Sequence, residues 1–100
     1  MSYDVVVRAL AERDLEAAED WYNRQRPGLG REFREIVSAL FDRLSENPQI
    51  YPCVHQAVRR AVLRRFPYLV YFVVEDARVV ILACLDSRRD PQVHRERSGA

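Results

Sequence analysis

The sequence predicts an α+β protein with an N-terminal strand, an antiparallel helical hairpin and then a three-stranded antiparallel meander. In the first half of the chain, apolar residues recur at the spacing of amphipathic helices. The second half changes to runs rich in Val, Tyr and Phe, which favour strands. Because 100 residues is about the size of one domain, we expect residues 1–100 to form a single domain.

The first strand and the first helix follow each other directly. The Val-rich segment Tyr3–Arg8 predicts the strand, and helical spacing over Ala9–Gln25 predicts the helix. The residues at this spacing are Leu10, Asp14, Ala17, Ala18, Trp21 and Tyr22. Since Trp21 and Tyr22 share the spacing of Leu15 and Ala18, we expect the aromatic pair to pack in the core rather than to serve recognition.

A breaker cluster, Pro27–Gly30, separates this helix from a second one. The second helix has an amphipathic stripe formed by Leu29, Phe33, Ile36, Val37, Leu40 and Leu44. The stripe ends before Asn47-Pro48, which predicts a helix over Leu29–Glu46. The short link implies that the two helices form an antiparallel hairpin.

The remaining elements are predicted to be strands. Ile50-Tyr51-Pro52 is interpreted as a loop, and the strands follow it at Val58–Phe66, Tyr68–Val74 and Val79–Leu85. The short connector Glu75-Asp76-Ala77 predicts a hairpin, and Pro67 interrupts the ladder before it. The sheet should be largely antiparallel, with a polar C-terminal tail from about residue 92.

The last two predicted strands are apolar at nearly every position. This pattern is typical of strands that are covered on both faces, yet the chain offers a single helical hairpin as cover. Three explanations remain open: the sheet curls around its own side chains, the tail folds back, or a partner covers the second face.

Motifs for metals, cofactors and membranes are absent from the sequence. It has no HExxH, no paired Cys/His spacing and no glycine-rich phosphate loop, so we expect no metal and no cofactor. Cys53 and Cys84 are far apart in sequence and are expected to be free thiols. The apolar run Val79–Leu85 is shorter than the roughly 20 residues that cross a bilayer. With no secretory leader before the first strand, we expect a cytoplasmic protein.

The positive charge is concentrated in the second half of the chain. Residues 1–50 hold seven Arg against ten acidic residues, whereas residues 51–100 hold nine Arg against five. The candidate contact residues in the second half are Arg59, Arg60, Arg64, Arg65, Arg88 and Arg89. They form either an electropositive rim on the sheet or a set of solvated residues that pair with local acids. Arg59, Arg60, Arg64 and Arg65 are predicted to lie on one strand, two on each face.

Six short motifs occur in order between Tyr3 and about Arg95. They are Asp14-Leu15 with Ala18 and Trp21-Tyr22; Pro27-Gly28-Leu29-Gly30 with Phe33; Asn47-Pro48 with Tyr51-Pro52; Arg59-Arg60; Phe66-Pro67-Tyr68 with Val70-Tyr71-Phe72; and Arg88-Arg89-Asp90-Pro91. In this order and at these separations, the motifs resemble the ParE/RelE toxin superfamily, and ParE more closely than RelE.

This resemblance implies the toxin of a type II toxin–antitoxin pair of the plasmid-stabilisation kind. Such a toxin arrests growth when free and is neutralised by a short antitoxin, here ParD-like or related, with which it forms a hetero-oligomer. ParE-like members poison DNA gyrase. RelE-like members instead cut messenger RNA at the ribosome.

The sequence offers little chemistry for RNA cleavage. Attack by a 2′-hydroxyl needs a base, an acid and cations, and arginine supplies only the cations. Many superfamily members carry a His where this chain has Asp86, and the Lys used by some RelE-like nucleases does not occur here. The weak catalytic candidates are Arg65, Asp86, Arg89 and His94.

Other polar and aromatic residues have simpler explanations. Asp86 and Asp90 are expected to be ionised beside Arg88 and Arg89, and His55 is expected to be a surface residue. Packing explains Tyr68 and Tyr71 first, although a tyrosine could stack on an RNA base.

We therefore predict an inhibitor that binds DNA gyrase rather than an enzyme. Its antitoxin would cover the apolar sheet and the helical hairpin, and acidic antitoxin residues would meet the arginines of the second half. The alternatives are a RelE-type ribosome-dependent mRNA endonuclease and an attenuated toxin that binds only its antitoxin.

Overall fold

Besides a short 3₁₀ helix at Pro48–Ile50, two α-helices and five strands make up residues 2–88, the part of the chain that the computed structural model describes. In chain order they are β1 (Asp4–Val7), α1 (Ala9–Gln25), α2 (Leu29–Glu46), β2 (Cys53–His55), β3 (Val58–Val62), β4 (Tyr68–Glu75) and β5 (Arg78–Asp86). The strands form one sheet in the order β1-β5-β4-β3-β2. β1 is parallel to β5, and the other three pairs are antiparallel. The predicted fold class is confirmed.

The helical hairpin has the predicted boundaries. Gly28 adopts a φ of 89°, a left-handed conformation that suits glycine, and it starts α2 immediately after the turn. The helices approach closely at Gly30, where an added Cβ would overlap the carbonyl oxygen of Glu19. The backbone N–H of Gly30 donates to Oδ1 of Asn23 at 2.9 Å, which ties the two helices together beside the turn.

Charged side chains also join the two helices. Arg34 of α2 lies between two carboxylates of α1, with Nη2 at 3.0 Å from Glu12 and Nε at 3.8 Å from Glu19. These three side chains are about one-third exposed, so each pair adds at most about 1 kcal/mol. Most of the hairpin's stability must therefore come from its apolar face.

That apolar face forms the main core with one face of the sheet. Its buried residues include Leu15, Tyr22, Phe33, Leu40, Leu44, Val70, Phe72 and Ile81. Four aromatic rings cluster at one end, those of Tyr22, Phe33, Phe66 and Tyr68, with centroids 4.8 to 6.1 Å apart. Full burial of a side chain such as Phe33 contributes about 1.5–3 kcal/mol, so this core holds both helices on the sheet.

A β-bulge at Leu82 reverses the alternation of side chains along β5. Phe72 pairs with Ile81 and Tyr71 pairs with Ala83, which leaves Leu82 as the extra residue. Leu82 and Ala83 consequently lie on the same face, while Ile81 and Cys84 belong to the helix-facing core. β5 is apolar at nearly every position because its side chains enter apolar clusters on both faces of the sheet.

The second face of the sheet has its own apolar cluster, whose members within residues 2–88 all lie on strands. The buried members of this cluster are Val58, Tyr71, Val80, Leu82, Ala83 and Leu85. Both helices pack against the opposite face, as the sequence predicted from the single hairpin. The predicted tail from about residue 92, one of the proposed covers for this face, lies outside the described residues.

The sequence-based prediction was wrong at two strands: the strand predicted at Val58–Phe66 is shorter, and a strand before it was not predicted. β3 ends at Val62 rather than Phe66, so Arg64 and Arg65 lie in the turn before β4 and not on a strand. Arg65 has a φ of 69°, which is incompatible with a continuing strand. The sequence also did not predict the three-residue strand β2, in which Cys53 and His55 pair with β3.

Candidate functional site

The end of β5 runs beside α1, and the two elements bound a groove. β1 pairs with β5 only from Arg78 to Ile81, although β5 continues to Asp86. Beyond that pairing, Oδ2 of Asp14 in α1 accepts a hydrogen bond from the backbone N–H of Cys84 at 3.0 Å. A side chain of the helix thus takes the place of a neighbouring strand at this part of the sheet edge.

The groove has a volume of about 690 Å³ and is lined by both polar and apolar groups. Its lining residues are Asp14, Ala17, Ala18, Trp21, Tyr22, Pro67, Tyr68, Cys84, Leu85, Asp86 and Arg88. We call it the α1 groove. Its volume is in the range of sites that hold ligands or the anchoring side chains of a bound partner.

Trp21 stands at the wall of the α1 groove with 49% of its surface exposed. Its ring meets the buried ring of Tyr22 edge-on, with centroids 5.0 Å apart. The prediction that Trp21 and Tyr22 both pack in the core is therefore right for Tyr22 and wrong for Trp21. Successive helix residues are rotated by about 100°, so Trp21 points away from the direction in which Tyr22 enters the core.

A signal for this arrangement was present in the sequence. Two parallel stripes run along α1 at the same helical spacing: Ala11, Leu15, Ala18 and Tyr22 are buried, whereas Leu10, Asp14, Ala17 and Trp21 lie beside them. The first stripe is uniformly apolar, while the second contains Asp14. The interruption by a carboxylate marks the second stripe as the one that faces away from the core.

An ion pair forms the polar end of the α1 groove. The Arg88 guanidinium donates from Nε to Oδ1 and from Nη2 to Oδ2 of Asp86, each at 2.9 Å, and the Arg88 backbone N–H donates to Oδ1 as well. Asp86 raises the pKa of Arg88 above its ordinary value through these hydrogen bonds. Burial and then the Asp86 carboxylate raise the pKa of the nearby Tyr22 hydroxyl, which stays protonated at neutral pH.

The predicted contact arginines are not assembled at one site. Arg59 donates from Nη1 to the carbonyl oxygens of Tyr51 at 2.6 Å and Gln49 at 3.2 Å, so it holds the loop before β2. Arg60 pairs in register with Tyr71, a member of the second-face cluster. Arg88 lies at the α1 groove.

Arg65 and its neighbour Arg64 lie elsewhere, in the β3–β4 turn. Nη2 of Arg65 is 3.0 Å from Oε1 of Glu32 at the start of α2. Its guanidinium carbon also lies 5.4 Å from the centroid of the Phe66 ring. Two further predicted site residues, Arg89 and His94, fall outside the described residues.

The other candidate side chains take different positions. Tyr68 lines the α1 groove, Tyr71 is buried on the second face, and His55 is half-buried in β2. Within residues 2–88, no three His, Cys, Asp or Glu side chains come together as a metal site. The helices of this part of the chain are too short or too polar to cross a membrane.

Comparisons with known proteins give a family match and a similar fold. Residues 5–91 match the family described as the ParE toxin of the type II toxin–antitoxin system, parDE. Among solved structures, a chain of the chromosomal ParDE toxin–antitoxin system from P. aeruginosa superposes with a TM-score of 0.74 at 21% sequence identity. The match covers 83% of this chain and 94% of that chain, and it supports the same fold. No curated protein matches the sequence significantly.

Proposed function

Because this chain belongs to the ParE toxin family of type II toxin–antitoxin systems, we propose that it inhibits DNA gyrase by binding it and that a ParD-like antitoxin neutralises it. Family membership confirms the resemblance carried by the sequence motifs. In this proposal, residues 1–100 are one toxin domain that acts in the cytoplasm and forms a hetero-oligomer with its antitoxin.

The state of Asp86 supports binding rather than RNA cleavage. A general base must direct a free lone pair at the proton that it removes. Asp86 instead accepts two hydrogen bonds from the Arg88 guanidinium, and a third from the Arg88 backbone N–H. Arg65 is held by Glu32 at the start of α2. Among the catalytic candidates within residues 2–88, Asp86 is the one that could act as a base, and most of its acceptor sites are thus already occupied.

The α1 groove is the proposed docking site for the antitoxin. Trp21 is exposed at its wall, and aromatic residues beside a pocket commonly anchor protein interfaces. An amphipathic helix fits this geometry better than an added strand, because Asp14 already occupies the backbone N–H of Cys84 at the open edge of β5.

The positive charge of Arg88 would set the orientation of the antitoxin segment in the groove. Arg88 lies at one end of the α1 groove with 85% of its side chain exposed, so it can still meet an acidic antitoxin residue. Arg59 is a poor candidate for the same role, since two backbone carbonyls hold its guanidinium. Among the predicted contact arginines within residues 2–88, Arg88 is the one that lines the groove, and it is therefore the proposed antitoxin contact.

Substitution of Trp21 tests this docking site. We expect Trp21→Ala to weaken antitoxin binding by about 2 kcal/mol or more, which is roughly 30-fold in Kd. Ile50→Ala is the matched control, because Ile50 is also an exposed apolar residue but does not line the groove. Calorimetric titration with the antitoxin encoded beside the toxin gives both affinities. An unchanged affinity for Trp21→Ala would place the antitoxin elsewhere.

Expression without the antitoxin tests the toxic activity. Growth, the DNA-damage response and message integrity are scored in one culture. We expect growth arrest with DNA damage and intact messages. Arrest with cleaved messages would favour the RelE-type endonuclease, and unimpaired growth would identify an attenuated toxin.

A further inference from the structure

Five exposed arginines lie in, or within three residues of, the α1–α2 turn and the β3–β4 turn, and these two turns are joined by contacts with Glu32. The arginines are Arg24, Arg26, Arg31, Arg64 and Arg65, and we call this region the hairpin pole. Residues 24–32 and 64–65 hold these five arginines against one acidic residue, Glu32, which lies between Arg26 and Arg65. We propose that the hairpin pole binds the phosphate backbone of a double-stranded nucleic acid.

The position of the two central arginines is fixed by one carboxylate. Arg26 from the helix turn binds Oε2 of Glu32 at 3.1 Å, and Arg65 from the sheet binds Oε1 at 3.0 Å. Hydrogen bonds from Arg65 and Arg26 lower the pKa of Glu32, so the clamp persists through the neutral range. A guanidinium has five N–H groups, which leaves donors on both arginines for a further anion.

The remaining arginines of the pole add charge that the protein does not neutralise. Within residues 2–88, no ion pair involves Arg24, Arg31 or Arg64. Arg31 also lies in the first turn of α2, where the helix dipole disfavours a cation. A bound anion would relieve this unfavourable arrangement.

Backbone strain in the β3–β4 turn singles out Arg65. Its φ of 69° is uncommon for a residue other than glycine, and such conformations cost of order 1–3 kcal/mol. In this conformation, the Arg65 guanidinium contacts Glu32 and approaches the Phe66 ring. The turn therefore holds one arginine in a defined position at the pole.

The chemistry of the pole favours a phosphate backbone over a peptide or a small anion. None of its five arginines lines the α1 groove, so no concave apolar site accompanies the charge. Protein partners need an apolar centre, whereas nucleic acids bind through phosphate contacts and counterion release. The nearby Phe66 ring is buried and cannot stack on a base, which favours a duplex over a single strand.

The rest of the hairpin would orient the duplex. α1 carries five acidic residues, all of which precede Trp21: Glu12, Asp14, Glu16, Glu19 and Asp20. The hairpin is thus negative along its first helix and positive at its turn. This polarity directs phosphates away from the first turns of α1 and towards the pole.

Fluorescence anisotropy with labelled DNA and RNA duplexes of equal length tests the proposal over a range of salt concentrations. The Arg24→Gln/Arg31→Gln/Arg64→Gln variant removes three charges from the pole. The matched control, Arg13→Gln/Arg43→Gln/Arg78→Gln, removes three exposed arginines from other parts of the surface. The assay contains neither gyrase nor antitoxin, so its outcome is independent of the proposed function.

We expect the unmodified chain to bind at least one duplex in a salt-dependent manner. In the pole variant, the slope of log K against log salt should fall by up to about 0.9 for each phosphate that is no longer neutralised, while the control keeps most of its affinity. A preference for one duplex identifies DNA or RNA as the source of the phosphates. Equal loss of affinity in both variants, absence of binding at low salt, or equally tight binding of a polyglutamate peptide would each overturn the proposal.

Discussion

At the scale of single residues, Asp14 has the clearest structural role. It is the helix side chain that satisfies the edge of β5, through its hydrogen bond with the Cys84 N–H. We expect Asp14→Ala to lower the free energy of unfolding by about 1–3 kcal/mol, because it leaves a partly buried N–H without its acceptor. Asp14→Asn keeps an acceptor oxygen and should destabilise the protein less. Urea denaturation compares the variants, and equal destabilisation would contradict this role.

The two cysteines should differ sharply in reactivity. Burial, reinforced by the Asp14 carboxylate, raises the pKa of the Cys84 thiol to about 12, whereas Cys53 is exposed. Since the thiolate is the reactive form, a thiol reagent at pH 8 should modify Cys53 rapidly and Cys84 only after unfolding. The Cys53→Ser variant isolates the second thiol. Rapid labelling of that variant in its folded state would contradict the burial of Cys84.

The Cys84 thiol also makes the free energy of unfolding depend on pH in the alkaline range. Folding favours the protonated form of the Cys84 thiol. Its contribution to the free energy of unfolding is complete below about pH 9, the pKa of the thiol in the unfolded chain. The contribution declines as the pH rises towards 12, the pKa in the folded protein. The free energy of unfolding should therefore fall across this window, by at most about 1.4 kcal/mol per pH unit from this group. Cys84→Ala should reduce the slope. In that variant, the Tyr22 hydroxyl, whose pKa is also raised, should keep part of the pH dependence.

At the scale of elements, the helical hairpin depends on the close approach at Gly30. We expect Gly30→Ala to destabilise the protein by about 1–3 kcal/mol, because the added methyl group would overlap the Glu19 carbonyl and crowd Asn23. Ser38→Ala, at an exposed position of the same helix, is the control. Chemical denaturation measures both. A neutral or stabilising effect of Gly30→Ala would mean that the helices separate easily at this point.

The elements differ in how far the sequence determines them. The helix boundaries were predictable because Pro27, Gly28 and Pro48 exclude helix for local reasons. The end of β3 was not predictable, because the local sequence does not indicate that Arg65 takes a left-handed backbone conformation. β2 was missed because its three residues are defined by pairing with β3, a contact that local periodicity does not encode.

At the scale of the whole molecule, the candidate site combines residues that are distant in sequence. The prediction from spacing alone assigned Trp21 to the core together with Tyr22, because it did not use Asp14 to separate the two adjacent stripes of α1. The pairing of Asp86 with Arg88 was expected from their proximity in sequence. The contact of Arg65 with Glu32 joins the sheet to α2 and could be seen only in the folded chain.

The two proposed binding surfaces lie on different parts of the molecule. The α1 groove, with Trp21 and Arg88, is proposed for the antitoxin, and the hairpin pole is proposed for a nucleic-acid duplex. Arg60 lies near a third surface, the second face of the sheet. Substitutions in the groove should therefore change antitoxin affinity without changing duplex binding.

The most direct test of the central claim is a supercoiling assay with purified DNA gyrase, relaxed plasmid and this protein. We expect loss of supercoiling and accumulation of cleaved plasmid, both reversed when the antitoxin is added. A parallel reaction with programmed ribosomes should leave the message intact. Undiminished supercoiling together with cleavage of the ribosome-bound message would contradict the proposal and establish a ribonuclease instead.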